Sequence, residues 1–481
     1  MDLKALVLAL LTLASFMTAL DSTIVILALP AMLTGLKATL DQVIWVILIY
    51  ILVVTILSTQ AGRLGDYLGR SRVFNVGMLM FGVGSALCGL SMNIPMLILF
   101  RAIQAIGASL MTGNTMAIAS QYYPPDRRGY VFGTTSMGWN LGAVVGVFAG
   151  GVLTTFLGWR WVFYINVPIA VFGFIVGLMK LKGRDTMLKA SFDIWGAVLL
   201  GVSLGLFSMA AITYAGAGYN ESVLLMSIAG LVFLIAFMFN EARVKMPLIS
   251  IRLFKIRLFT LSSFSYFFQY MANYAVLFLL TMYLQGVRGL SPFEASLWLM
   301  PGYLLGSLAA LAGGRLADRF DARWAASIGL MMQGVAYVLY DEYLTVNTPL
   351  YYIPLIASIN GVGAAIFFAA NGKMVVYDVP SEMYGMASGT NRTIGNIGMI
   401  LSFIVAIVAS TAAIPRALAF EIFAGTSTLT PSLMAPFVNS LHMAFKASLA
   451  LIAVAIATSW SRTRISMTHK IEGALSYRKG I

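Results

Sequence analysis

The chain has 481 residues, 60% of them hydrophobic and only 10% charged, with a formal net charge of +13. A soluble chain would be about half apolar and about a quarter charged, so the composition excludes one and predicts a polytopic membrane protein. Its apolar runs are continuous rather than alternating, which excludes a barrel and leaves an all-α architecture, the other way to satisfy every backbone group in lipid.

A span needs about 20 mostly apolar residues. Fourteen such segments succeed one another, at 5–30, 42–61, 74–91, 95–120, 130–157, 161–181, 194–214, 223–240, 258–285, 292–312, 324–340, 351–371, 386–411 and 441–460. Lys4 leads directly into the first, which is too long for a signal-peptide core and lacks a clear cleavage site, so it is expected to be retained. Basic residues concentrate in the short loops of one face: Arg63, Arg70 and Arg72; Arg127 and Arg128; Lys180, Lys182, Arg184 and Lys189. Arg243 to Arg257, Arg315 to Arg323, Lys373, and Arg462 with the tail continue the series. The other face keeps Lys37, Arg160, Arg288, Arg416 and Lys446. That asymmetry accounts for the positive charge without nucleic acid and places both termini in the cytoplasm. The lone cysteine, Cys88, lies in an apolar run and can form no internal disulfide.

One loop occurs twice. Residues 62–73 read GRLGDYLGRSRV and residues 314–323 read GRLADRFDAR. Gly62 and Asp66 align with Gly314 and Asp318 at one constant offset, larger than six spans by about the length of the pair at 194–240 and its basic tail. The expected organisation is a six-helix bundle at 1–190, an inserted pair at 191–257, a second six-helix bundle at 258–460 and a basic tail at 461–481. Paired six-helix halves with a site between them are a transporter plan. The inserted pair carries few polar residues and reads as structural. The segment 412–440, with Pro415, Pro431 and Pro436, reads as a long exterior loop or lid.

Several runs, in order, resemble the fourteen-span drug:proton antiporter branch of the major facilitator superfamily. ALDSTIVILALP (19–30) is similar to its first-helix signature, and the 62–73 loop to the superfamily's loop between spans two and three. FRAIQAIGASLM (100–111) resembles the fourth-helix arginine motif, GWRWVFYINVPI (158–169) a run typical of this branch, and GMASGTNRTIGNIG (385–398) its thirteenth-helix pattern. The resemblance implies the major facilitator fold and export of small amphipathic organic compounds. It also implies energy from a proton gradient, with no cofactor, metal or enzymatic activity. A multi-pass protein of the plasma membrane, working as a monomer, is expected. One motif departs: GWNLGAVVGVFAGG (138–151) has Val147 where the branch's antiporter signature has proline. Gly142, Gly146, Gly150 and Gly151 remain, at the small-residue spacing that allows close helix approach.

Asp21 is the acid set deepest in any span. A charge there is costly and usually faces a cavity or partner, so Asp21 is either the proton-coupling site or half of a structural ion pair. Arg101 in span four is its natural partner. An arginine keeps its proton, so it can modulate Asp21 without carrying the coupling ion itself; the alternative is a packing bond to backbone carbonyls. Gly62, Gly65, Asp66, Gly69 and Arg70 read as a conformational gate, the glycines allowing turns and Asp66 accepting N–H groups from a helix of the other half. Gly314 and Asp318 form a weaker second copy. Tyr266, Gln269, Tyr270, Asn273 and Tyr274 recur at helical spacing in span nine, as a substrate-pocket stripe or an interfacial aromatic belt. Arg392 answers an anionic group or snorkels to the surface. With no second deep acid in the later spans, neutral, monocationic or zwitterionic substrates are expected rather than dications. His442 and His469, the only histidines, adjoin no nucleophile or ligand set. A proton symporter or a lipid or metabolite exporter on the same scaffold is the alternative.

Overall fold

A computed structural model describes residues 3–124, 127–181, 192–244, 247–319, 321–380, 383–412 and 431–462. In chain order its α-helices are α1 (Leu3–Gly35), α2 (Leu40–Leu68), α3 (Arg70–Leu90), α4 (Ile94–Tyr122), α5 (Arg128–Phe156), α6 (Trp161–Tyr164), α7 (Asn166–Lys180), α8 (Ile194–Ala217) and α9 (Glu221–Arg243). A 3-10 turn (Ile251–Lys255) then leads into α10 (Arg257–Asn273) and α11 (Val276–Met282), which ends in a π turn (Tyr283–Val287). There follow α12 (Pro292–Arg319), α13 (Ala322–Tyr343), α14 (Tyr352–Tyr377), α15 (Tyr384–Ala412) and α16 (Pro431–Trp460).

With α6–α7 as one rod and α10–α11 with its π turn as another, the described residues form fourteen rods, in the order of the fourteen apolar segments. Twelve helices are long and apolar enough to cross a membrane. α12 and α13, of 28 and 22 residues, supply the other two rods. Side-chain caps start several of them: Asn93 accepts the Met96 N–H at 2.9 Å, Asn220 that of Val223 at 2.9 Å, and Asp321 that of Arg323 at 3.0 Å. Each cap satisfies an amide that the first helical turn leaves open.

Two boundaries differ from expectation. The last rod begins at Pro431 rather than at 441, so the end of the supposed exterior loop 412–440 is helical; residues 413–430 and the tail from 463 lie outside the described residues. The repeated loop at 62–73 is scarcely a loop. Gly62 and Gly65 lie in the last turns of α2, Arg70 begins α3, and the corner is made by Gly69 alone, at φ +103°. A side chain there would force a residue into the left-handed region that glycine occupies without steric cost.

Rods α1 to α7 pack on one another, chiefly α1 along α5 and α4 along α2 and α3. Rods α10 to α16 do likewise, with α14 between α12 and α13, and α16 against α10 and α13. α5 meets α12, α2 meets α15, and α1 meets α11 across the middle. α8 packs on α9 and also on both α2 and α15, so the inserted pair touches both groups. Successive rods alternate in direction, which brings the start of α1 and the end of α16 to one face. The Tyr123 hydroxyl donates to the Lys4 carbonyl at 2.8 Å on that face. Arg323 donates to the Arg462 carbonyl there at 3.4 Å. Arg462, grouped by sequence with the basic loops and tail, is in fact buried. It donates to Asn371 Oδ1 at 2.7 Å, and burial pulls its guanidinium from the usual arginine range down to about 9.

Candidate functional site

Asp21 and Arg101 meet in the interior of the first group of rods. Arg101 Nη1 donates to Asp21 Oδ2 at 2.7 Å, and the two residues are 1% and 0% exposed, so water screens neither charge. Taking two charges out of water costs several kcal/mol per ion and is offset only where their remaining polar valences are filled. They are filled here. Gln104, one helical turn beyond Arg101 on α4, donates Nε2 to Asp21 Oδ1 at 2.9 Å, and Asn166 at the start of α7 donates to the same oxygen at 3.2 Å. Arg101 also donates Nε to the Val46 carbonyl of α2 at 3.1 Å and Nη1 to Gln104 Oε1 at 2.7 Å. Its guanidinium lies 4.3 Å from the centre of the Tyr50 ring, within cation–π range. Ser85 of α3 accepts from Gln104 at 3.1 Å and from Asn166 at 3.3 Å, and its hydroxyl donates to the Phe163 carbonyl at 2.8 Å.

Donors from α4 and α7 therefore converge on the one carboxylate of α1, and groups of α2, α3 and α6 hold those donors. Asp21 can take up a proton, whereas the guanidinium beside it cannot release one under working conditions. Protonation would remove the charge that three donors from α4 and α7 are oriented towards, and so change how α1 is held against them. Gln104, Asn166 and Ser85 were not singled out from sequence, although the first two lie within the runs 100–111 and 158–169. Gln104, at three residues from Arg101, was the one with a helical-spacing signal.

The proposed gate is arranged differently from the expectation. Among the described residues Asp66 reaches no helix of the other group; it accepts from Arg70 Nε at 2.7 Å across the Gly69 corner, and Arg70 Nη1 goes on to the Ala117 carbonyl of α4 at 3.3 Å. Gly62 and Gly65 do not turn the chain. They admit α4, because a Cβ at Gly62 would lie 3.1 Å from the Gly113 carbonyl and one at Gly65 would collide with Asn114. In the second copy, Gly314 and Asp318 fall on α12 and their side chains lie outside the described residues. Asp321 caps α13 instead.

The glycine stripe of α5 lies directly on α1. A Cβ at Gly142 would strike the Phe16 carbonyl, one at Gly146 would come within 2.7 Å of the Leu20 carbonyl, and one at Gly150 within 3.0 Å of that of Ile24. Gly151 faces the other way, towards Ser296 and the Pro292 carbonyl of α12. Without proline at Val147, α5 runs unbroken.

The span-nine stripe divides. Gln269 is buried and donates to Gln333 of α13 at 3.0 Å. Asn273 accepts from Tyr337 at 2.8 Å and from Asn360 at 2.9 Å. Tyr266 and Tyr270 stand edge to face, 4.7 Å between ring centres, with Phe368 of α14 at 5.7 Å and 5.2 Å, and they crowd Gly395 of α15. Both rings are half-buried, packed against α14 and α15. Tyr274 reaches towards Ser22 of α1 and lies within electrostatic reach of Asp21 and Arg101. Arg392 is exposed. It donates to the Thr112 carbonyl of α4 at 3.3 Å, between the two groups of rods. Among the described residues no group of His, Cys, Asp and Glu could hold a metal ion.

Comparison with known proteins agrees with this architecture. The chain is 30% identical over 402 residues to the riboflavin transporter RibZ of Clostridioides difficile (strain 630), covering 83% of this chain and 87% of that one. It is 30% identical to multidrug resistance protein 3 of Bacillus subtilis (strain 168), with 83% and 78% covered. The tetracenomycin C resistance and export protein of Streptomyces glaucescens is also 30% identical, with 79% and 71% covered. Among solved structures, a bacterial homologue of the human lysosomal transporter Spinster, in an inward-facing and unoccupied conformation, superposes with a TM-score of 0.63 at 19% identity, over 95% of this chain and 96% of that one. An auto-inhibited POT family peptide transporter gives 0.66 at 15% identity, over 95% and 97%. The model of the Major Facilitator Superfamily matches residues 11–402, and a second match covers 262–438. This chain, a multi-pass and non-enzymatic membrane protein, belongs to the Major Facilitator Superfamily of transporters.

Proposed function

We propose that the protein exports amphipathic organic compounds from the cytoplasm in exchange for protons, by alternating access between the six-rod groups at 1–190 and 258–460. The observation that carries this reading is the buried Asp21–Arg101–Gln104–Asn166 network. Asp21 takes a proton from the outer side, its hold on Arg101 and Gln104 weakens, and the first group reorients against the second, whose Tyr274 reaches towards Ser22 of α1. Tyr266, Tyr270 and Phe368 offer aromatic faces to a flat or monocationic substrate, in keeping with relatives named for multidrug resistance and tetracenomycin C export. The excess of Lys and Arg on the face shared by the start of α1 and the end of α16 supports a cytoplasmic orientation of that face. All fourteen rods then cross the plasma membrane, and the protein works as a monomer.

A second reading, a metabolite exporter or symporter, draws on the relative named a riboflavin transporter and on Val147 in place of the antiporter proline. Purified protein in vesicles separates the two: antiport moves substrate and protons in opposite directions under an imposed pH gradient. Asp21→Asn is expected to leave an inserted, folded protein whose proton-driven efflux falls to background. Efflux at the unsubstituted rate in that variant would remove Asp21 from the mechanism.

A further inference from the structure

The foot of the inserted pair, expected from sequence to be purely structural, contains a second buried acidic group. Asp193, 3% exposed, caps α8: its Oδ1 accepts the Gly196 N–H at 2.8 Å and Asn240 Nδ2 at 2.8 Å. Glu241, 4% exposed in the last turn of α9, accepts the Ile249 N–H through Oε2 at 2.7 Å. Among the described residues the remaining oxygen of each, Asp193 Oδ2 and Glu241 Oε1, has no other donor. Both point at the same spot. A Cβ at Gly196 would collide with the first and lie 2.7 Å from the second, so only glycine leaves room for the two carboxyl groups to approach. Both oxygens lie within 2.7 Å of that one Cβ position, and two ionised carboxylates aimed at a single buried point repel.

The surroundings tie this pair to both groups of rods. Gln60 of α2 donates to the Asp193 carbonyl at 2.9 Å and accepts its N–H at 3.3 Å. Arg63, also on α2, donates to the Pro247 carbonyl at 3.0 Å and lies within electrostatic reach of both acids. Two residues along α9, Arg243 is exposed. From α15, Thr390 Oγ1 accepts the Ser250 N–H at 3.2 Å. Among the described residues Arg63 is the one cation acting on the acids, and a single cation neutralises a pair carrying one negative charge, not two.

We infer that Asp193 and Glu241 hold one proton between them, a protonation site on the basic face separate from Asp21, and that losing it loosens the inserted pair from α2 and α15. Held together, the knot restrains these two rods relative to one another; deprotonated, the carboxylates repel and α9 parts from α8 at its foot. Taken with the proposed direction of proton flow, acidification of the cytoplasm would tighten the restraint and slow the exchanger.

The decisive measurement avoids transport, so the site can fail or stand apart from the exporter reading. The thermal unfolding midpoint of the purified full chain is followed from about pH 5 to about pH 9, the range over which a proton shared by buried carboxylates is lost. The native fold binds the shared proton more tightly than the unfolded chain, so stability is present at low pH and is lost as pH rises. The expected result is a fall of several degrees for the unsubstituted protein and for Asp21→Asn. Glu241→Gln, which donates permanently to Asp193, should stay flat at the low-pH value. An undiminished fall in Glu241→Gln, or none in the unsubstituted protein, overturns the site. If Glu241→Gln does not fold, infrared spectra of the unsubstituted protein and of Asp21→Asn decide. A protonated-carboxyl band that persists at neutral pH in both and disappears at alkaline pH supports the shared proton, and its absence from Asp21→Asn refutes it.

Discussion

Asp21 and Arg101 act as one unit at the scale of single residues, because each is buried only in the presence of the other. Replacing Arg101 with leucine leaves the carboxylate with neutral donors alone, and breaking a buried pair from one side costs about 3 kcal/mol. The thermal midpoint of Arg101→Leu is therefore expected to drop clearly. The double variant Asp21→Asn, Arg101→Leu should recover part of that loss, since no charge is then stranded; a strictly additive result would show the two residues to be uncoupled. Arg101→Lys is expected to fail in transport as well. An ammonium cannot span Asp21, Gln104 and the Val46 carbonyl with the fixed fork of a guanidinium. Asp21 and Arg101 were legible in sequence as ionisable groups out of place in lipid. Gln104, Asn166 and Ser85 were not, because neutral polar residues in a span carry no comparable cost until their partners are known.

Between elements, the contact of α5 with α1 depends on missing side chains. Gly142, Gly146 and Gly150 let the two backbones approach until the carbonyls of α1 fill the space a Cβ would need. Overpacking such a contact costs about 1–3 kcal/mol. Gly146→Ala is expected to lower stability by that amount, and Gly133→Ala, where a Cβ meets nothing within 4 Å, to leave it unchanged. The two can be compared by thermal unfolding in detergent. Gly69 is of another kind, since its constraint is the left-handed backbone of the α2–α3 corner. Gly69→Ala should cost about 1–2 kcal/mol and shift the Asp66–Arg70 pair on the α3 side of the corner. Sequence reading found the stripe from its spacing of four, but took all the glycines at 62–69 for turn formers. Whether a glycine bends a chain or admits a neighbour is decided by the partner helix.

Across the whole molecule, the two groups of rods are joined at both ends. Towards the basic face, Arg392 of α15 donates to the Thr112 carbonyl of α4; towards the opposite face, Gln285 of the π turn donates to the Leu27 carbonyl of α1 at 3.1 Å. A net hydrogen bond contributes about 1 kcal/mol, which shifts a two-state equilibrium about five-fold. Arg392→Ala is expected to raise the maleimide labelling rate of a cysteine placed at Thr112 by about that factor. Gln285→Ala should lower it or leave it unchanged. The only native thiol, Cys88, is buried and contributes little background. Equal labelling with and without Arg392 would show that this contact does not favour closure.

Hydropathy alone determined the number and order of the rods, because lipid demands about twenty apolar residues for each crossing whatever the neighbours are. The doubled motif and its offset pointed to an inserted pair at 191–257. Only the tertiary structure decided which polar side chains meet. Gln104 and Asn166 lie far apart in sequence yet close on Asp21; Gln269 turns to Gln333 of α13; Asp193 and Glu241, at opposite ends of a hairpin that reads as plain apolar filler, share a single buried point. Burial makes each of these contacts matter, and burial belongs to the packed bundle rather than to any one segment.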